Sequence, residues 1–252
     1  MENNNWISYN ELAWIDPIIA PPEQYAEETE RYCRTIRKHS QIETKTMLHL
    51  GSGAGINDYT FKKHFEVTGV DISRGMLEVA RSLNPEVVYR SGDMRTADLG
   101  IQFDTVVIPG SINYMTTVED ARRAILTARR HLKPGGIFLF VTHVMEEFQE
   151  NNFVYTGAKR DLEITIFENN YISCPGETTY EATIIYLIRR AGQLEIHTDR
   201  HIIGLFKLKT WLELLKDCRF EVTEERLDHA YAQFIQGEGQ YPLRLFICTR
   251  KA

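Results

Sequence analysis

Three groups of residues in this chain have types and spacings that could do chemistry. Gly51, Gly53 and Gly55 alternate with Ser52 and Ala54 directly after the run Met47-Leu48-His49-Leu50. Such a run, with no polar alternation, reads as a strand buried on both faces. Glycines after it let the backbone turn tightly and approach a ligand where a Cβ would collide. With a helix predicted over Asn57 to Phe65, the turn gathers free N–H groups and a partial positive charge at one spot. Asp71 ends the next predicted strand, Glu66 to Ser73, sixteen positions after Gly55. A carboxylate there can accept both hydrogen bonds of a ribose diol. It also suits a helix N-cap, as does Ser73. His143 follows the apolar run Ile137 to Thr142 and could touch a substrate, act as a general base, or be structural. Tyr9 and Tyr114 are the next candidates for moving a proton.

The elements that must position these groups alternate in type. Predicted strands at Val87–Arg90, Phe103–Ile108 and Ile137–Thr142 are separated by helices over Arg74–Arg81 and Val118–Leu132. That order implies an α/β fold with a mostly parallel sheet, whose ligands lie outside the carboxyl ends of the strands. Strands one and four flank the switch point, so Pro109-Gly110-Ser111-Ile112-Asn113-Tyr114 should face the glycine turn across a cleft. Asn113 and Tyr114 could point at a substrate or cap their own turn.

The glycine spacing separates ligand classes. A dinucleotide dehydrogenase wants G-x-G-x-x-G, and Ile56 stands where its third glycine belongs. No G-K-[ST] follows, which argues against a phosphate-binding P-loop. The G-x-G-x-G turn resembles motif I of the class I S-adenosylmethionine (SAM)-dependent methyltransferases. Asp71, then Gly92-Asp93-Met94 after strand three, then Leu132-Lys133-Pro134-Gly135-Gly136 before strand five keep the same resemblance in register over residues 47 to 142. It implies a Rossmann-like fold with a seven-stranded sheet, the last strand antiparallel. It also implies SAM as cofactor, with S-adenosylhomocysteine (SAH) as product. By resemblance, Asp93 and Met94 contact adenine, although Asp93 could instead bond its own turn. Gly51, Ser52, Gly53, Gly55, Asp71, Ile72, Met76, Gly92 and Pro109 join them as expected cofactor contacts. His49 departs from the pattern, since motif I usually carries an acid two positions before its first glycine.

Two segments lie outside the alternating core. Residues 6 to 22 are aromatic, apolar and proline-bearing, an arm that could pack on the domain or close over a cleft. As a lid, the arm and the helix from about Glu23 would bring Tyr25 to the cofactor and Trp14 to the acceptor. Residues 145 to 206 read as an antiparallel insert of three or so strands, with strict period two at Leu162–Phe167 and a hairpin turn at Arg190-Ala191-Gly192-Gln193. Such an insert could make a substrate pocket or a homodimer face. The layout of core, insert and Trp-bearing helix is loosely similar to amino-sugar N,N-dimethyltransferases.

Composition bounds the rest. The chain of 252 residues is 43% hydrophobic and 25% charged, in the range of one globular α/β domain. The formal charge of −6, from 35 acidic and 29 basic residues, argues against nucleic-acid or anionic-membrane partners. Cys33, Cys174, Cys218 and Cys248 lack metal-ligand spacing, so no metal is expected. Scattered cysteines and the polar start Met1 to Asn5 suggest a cytoplasmic protein. The expected activity is methyl transfer from SAM to nitrogen, oxygen or carbon of a small-molecule acceptor. The alternative is a non-catalytic SAM sensor or a partner-dependent subunit.

Overall fold

The computed structural model describes residues 6–174, 176–228 and 231–251; Met1 to Asn5 lie outside it. From residue 46 onward, apolar strands alternate with amphipathic helices. β1 (Thr46–Leu50), β2 (Glu66–Asp71), β3 (Val88–Ser91), β4 (Phe103–Pro109) and β5 (Leu132–Thr142) pair in parallel. β10 (Phe220–Leu227) and β11 (Leu243–Arg250) complete seven strands in the order β10-β11-β5-β4-β1-β2-β3, with β11 antiparallel to both neighbours.

Alternation along the strands sends residues to opposite faces, and helices cover both. Leu48, Val106 and Phe138 pack against α5 (Val118–His131) and α6 (Leu208–Asp217). Met47, Val107 and Leu139 pack against α2 (Ala26–His39) and α4 (Arg74–Leu83). This is why the central strands read as unbroken apolar runs.

Two boundaries differ from expectation. The helix after the glycine turn, α3, covers only Asp58–Phe61; the following turns carry Phe65 into the core beside Phe61. Lys133 to Gly136 belong to β5 rather than to a free turn. Leu132 already pairs with Phe103, and the register then shifts before Ile137 meets Thr105.

The insert is a second sheet of four strands: β6 (Asn151–Lys159), β7 (Leu162–Tyr171), β8 (Thr179–Arg190) and β9 (Gln193–Gly204), in that spatial order. β6 was not expected, because its sequence N-N-F-V-Y-T-G-A-K lacks clean alternation. The β8–β9 turn is Ala191-Gly192, both at positive φ (48° and 82°), the two-residue geometry that matches strand twist. The inner face of this sheet packs Ile164, Ile166 and Ile188 on Leu12 and Ile15 of the arm.

The arm, which includes the short α1 (Asp16–Ile19), is therefore wedged between the insert and the strand tips. It is fixed by a few contacts. Ser73 Oγ donates to the Tyr9 carbonyl at 2.5 Å while accepting from Met76 N, so Ser73 caps α4 and holds the arm together. A Cβ on Gly75 would stand 2.6 Å from the Asn10 carbonyl oxygen, so the arm's backbone lies directly on α4.

At the other end of the sheet, Asp104 ties β1, β4 and β5 together. Its Oδ2 accepts from Lys45 N, Thr46 N and Thr46 Oγ1, each within 2.9 Å, and its Oδ1 from Lys133 Nζ at 2.7 Å. Burial alone would raise this carboxyl, but these donors hold it down at about 2. A depressed carboxylate contributes stability above its unfolded value near 3.9, and loses it as pH falls through the folded value. We expect Asp104→Asn to lower unfolding stability at pH 7 by about 1.5–3 kcal/mol. Denaturant titrations should show that the variant loses less stability than the wild type between pH 4 and 2. An unchanged acid limb would contradict this.

Candidate active site

The tips of β1, β2 and β4 converge on the glycine turn. Gly51 and Ser52 N–H both donate to the Val70 carbonyl, at 2.7 and 3.1 Å, which folds the turn back onto β2. At Gly51, φ is +66°, and the side chains of Ser111 and Met94 occupy the place where a Cβ would stand. The chain after β4 thus closes on the turn, as the switch-point argument requires. Gly55 is sterically needed for another reason, since Tyr89 and Asn84 fill the space behind it. Gly53 is the open position. Nothing lies within 4 Å of where its Cβ would be, so this glycine faces free space. Ser52 Oγ is buried, and it faces Gly69 of β2 rather than that space.

Asp71 bridges the turn and α4. Its Oδ2 accepts from Gly53 N and its Oδ1 from Ser73 N, both at 2.8 Å. Burial pushes this carboxyl upward against those N–H groups. Each oxygen keeps a second lone pair for a diol. The N-cap of α4 is Ser73 and not Asp71, so the alternative role is filled by the neighbour. Beside it Ile72 is 67% exposed, unusual for an apolar residue at a strand tip. Met76 is buried against Ala54 and Ala13.

His49 is not at the surface of the turn. It is buried in β1, and its Nδ1–H donates to Asp58 Oδ1 at 2.7 Å. Asp58 Oδ2 accepts from the Tyr89 hydroxyl at 2.8 Å, and Asn84 Nδ2 donates to both that hydroxyl and the Gly55 carbonyl. An acid is therefore present behind the turn, supplied by α3 instead of β1.

Other expected residues are engaged with protein. Asp93 sits in a bidentate pair with Arg95, whose guanidinium also reaches Asp120. Burial would raise the Asp93 carboxyl, but Arg95 holds it below the usual range. Gly92 N donates to the Asp71 carbonyl, which brings the two motifs together. Pro109 is half-buried at the end of β4. Asn113 Oδ1 accepts from Thr142 Oγ1. Trp14 packs with the Leu162–Ile188 cluster and carries the Arg190 guanidinium 5.6 Å over its ring. Tyr25 lies 6.1 Å from Tyr231, ring to ring.

His143 is 1% exposed, and its Nδ1–H donates to the Pro242 carbonyl at 3.1 Å. Its Nε2 has no partner, and burial lowers its basicity to about 4. Three aromatic rings, Phe148, Tyr180 and Tyr241, stand edge-on around it.

Tyr9 and Tyr114, by contrast, come together. Their hydroxyls are hydrogen-bonded to each other, and Tyr114 Oη also bonds His201 Nδ1 at 3.0 Å. His201 Nε2 bonds Asp199 Oδ2 at 3.1 Å, and that oxygen accepts from Ser8 N and Oγ. His201 and Asp199 were not expected from sequence. The available signal was their i, i+2 spacing on β9, which puts both on one face.

Two surface hollows, one of about 430 Å³ around Leu208 and Leu212 and one of about 550 Å³ around Gly100 and Lys133, contain none of these residues. No helix among the described residues is long and apolar enough to cross a membrane.

Comparison with known proteins decides the family. A methyltransferase-domain family model matches residues 47–136. The chain is 32% identical over 185 residues to the dTDP-3-amino-3,4,6-trideoxy-alpha-D-glucopyranose N,N-dimethyltransferase of Streptomyces venezuelae, covering 72% of this chain and 77% of the relative. The chain belongs to the class I SAM-dependent methyltransferases. A second relative, the dTDP-4-amino-2,3,4,6-tetradeoxy-D-glucose N,N-dimethyltransferase of Saccharopolyspora spinosa, is 28% identical over 70% of this chain and 71% of its own length. The fold agrees with the crystal structure of Streptomyces venezuelae DesVI at a TM-score of 0.78 and 21% identity, covering 93% of this chain and 94% of that one. The expected fold and activity class are thereby established for this methyltransferase. The open face of Gly53, the diol-ready Asp71 and the exposed Ile72 fit an adenosyl cofactor. We expect Asp71→Ala to weaken SAH binding by at least about tenfold, or 1.4 kcal/mol, in calorimetry. Asp71 bonds the backbone N–H groups of both Gly53 and Ser73, so a thermal melt of the variant accompanies the titration; an SAH affinity unchanged in the folded variant would remove Asp71 from the ribose.

Proposed function

We propose that this methyltransferase methylates a nitrogen of a small-molecule acceptor, and that Tyr9, Tyr114, His201 and Asp199 form the path that takes up the proton. The hydrogen-bonded row of these four side chains carries the reading. The two N,N-dimethyltransferase relatives support nitrogen as the acceptor atom. Gly51 to Gly55, Asp71, Ile72 and Met94 would hold the cofactor, with Tyr25 and Met76 beside them and the Gly92-Asp93 turn next to adenine. When bound, SAM supplies an electrophilic methyl group on a sulfonium, which needs alignment more than activation.

The polarity of the row follows from its end. Asp199 is held below the ordinary carboxylate range, because Ser8 and His201 outweigh its burial. As a carboxylate it can only accept, so His201 carries its proton on Nε2 and presents the Nδ1 lone pair to Tyr114. Burial lowers His201 basicity, so the ring is neutral and ready at pH 7. Tyr114 then donates to His201, and Tyr9 to Tyr114. As the nitrogen gains its methyl group, its N–H proton passes to Tyr9 oxygen, the Tyr9 proton to Tyr114 and the Tyr114 proton to Nδ1. The imidazolium formed is paired with Asp199. His143 has no such route, being enclosed by three rings and bonded to Pro242.

Tyr9→Phe, Tyr114→Phe and His201→Gln should each lower kcat by about 10²–10⁴-fold while SAH affinity stays within about threefold. Steady-state kinetics with radiolabelled SAM would read this; a kcat unchanged in all three would sink the path. Asn113 and Trp14 are assigned to the wall of the acceptor site.

The outer face of the insert exposes Phe167, Ile185 and Ile196, and we assign it to contact with a second copy of the chain. Sedimentation should show a dimer that Ile196→Asp converts to monomer; a monomeric wild type would refute the assignment.

A further inference from the structure

β7 carries a carboxylate where its pattern calls for an apolar residue. Leu162, Ile164 and Ile166 point inward, and the same face continues with Glu168 and Asn170. An inward carboxylate is costly unless it is partnered. Glu168's neighbours among the described residues are neutral: Asn170 Nδ2 donates to its Oε1 at 3.0 Å, and the Tyr155 side chain is near enough to act on it. Among the described residues no lysine or arginine pairs with it, and burial pushes its carboxyl upward.

Glu168 nevertheless is not covered. It is half-buried, as are Tyr25, Tyr155, Tyr231 and Tyr241. The space that these half-buried side chains border with Glu168 is the recess. Its wall is a row of rings, running Tyr25 to Tyr231 at 6.1 Å, Tyr231 to Tyr241 at 5.7 Å, Tyr241 to Phe153 at 5.0 Å and Phe153 to Tyr155 at 6.0 Å. Phe153 is the direct cross-strand partner of Glu168, so the row ends at the carboxylate. Tyr9 and Tyr114 are within its electrostatic reach. Asp16 adds a second carboxylate with no ion-pair partner among the described residues. Arg200 of β9 is paired with Glu181 and Arg244 of β11 with Glu147 and Glu224, while Arg189 and Arg190 of β8 stand opposite Glu163 and Leu162, at the far end of β7 from Glu168.

Aromatic faces around an unpaired carboxylate suit a cation and repel an anion. We propose that this recess holds the cationic group of the acceptor, with Glu168 as counter-ion and the tyrosines as its walls, and that the acceptor carries no diphosphate. The proposal rests on the methyltransferase reading above. It assigns this chain an acceptor chemistry unlike that of its dTDP-sugar relatives.

The test separates the two readings. SAH is titrated first by calorimetry; a failure to bind would count against the cofactor assignment alone, and the remaining titrations would be read on the protein by itself. Choline, its neutral isostere 3,3-dimethylbutan-1-ol and thymidine diphosphate are then titrated by ligand-observed NMR into SAH-saturated protein, which removes the SAM sulfonium as the competing cation. Choline should bind at least about tenfold more tightly than the isostere. Glu168→Gln should erase that difference while leaving SAH affinity unchanged. Equal binding of choline and its isostere by the wild type overturns the proposal, whether or not the variant folds. So does thymidine diphosphate binding more tightly than choline.

Discussion

Asp71 is the joint on which the site depends. One carboxylate receives the N–H of Gly53 from the turn after β1 and the N–H of Ser73 at the start of α4. Those two bonds fix the relative position of the first two strand tips. Ser73 is held by the same geometry, and its hydroxyl pins the Tyr9 carbonyl. A single acid thus positions the glycine turn, the helix cap and the arm that carries the first hydroxyl of the proposed proton path. A charged acceptor bonded to N–H groups is about twice as strong as a neutral one, which is why a short side chain can hold three separate elements.

What could be read from the chain beforehand follows from how locally each feature is encoded. The glycine turn, Asp71 and the apolar strands are determined by neighbours a few residues away, so spacing and period identify them. Both-faces burial of β1, β4 and β5 made them legible as continuous runs. The Tyr114 to His201 bond joins residues far apart in sequence, and no local pattern signals it. Glu168 was legible in principle. The strict period two of Leu162–Phe167 stops one position short of the carboxylate that interrupts its apolar face. β6 was missed because Asn152, Thr156 and Gly157 blur the alternation that marked its neighbours.

His49 shows how a family feature can move without being lost. A carboxylate at that place in β1 would stand buried beside the turn. Here the imidazole fills the strand position, and Asp58 brings the carboxyl group from α3. Asp58 is fully buried and must be satisfied on both oxygens, and it is, by His49 and Tyr89. Asn84 extends the network to the Gly55 carbonyl, so the third glycine is locked from behind. Breaking one partner of such a buried set is far costlier than its net contribution suggests. The exchange of acid for imidazole in β1 is therefore tolerable only together with Asp58 and Tyr89.

The arm and the insert explain why a fold shared with many enzymes can act on a particular acceptor. Neither makes the parallel sheet, and both meet over its strand tips. The arm contributes Ser8, Tyr9 and Asp16; the insert contributes Asp199, His201 and Glu168. Ser8 is the crossing point: its N–H and hydroxyl both go to Asp199, and its hydroxyl oxygen accepts from Tyr186 at 2.8 Å. Asp199 stays ionised because of those bonds, and its ionisation sets the tautomer of His201 and hence the direction of the whole row. An arm that left its place would cost the site more than a wall. It would remove the donors that keep Asp199 charged, and His201 would lose the anion that stabilises it once protonated. In the proposed path, the seating of the arm and the readiness of the base are one event, since the same serine serves both.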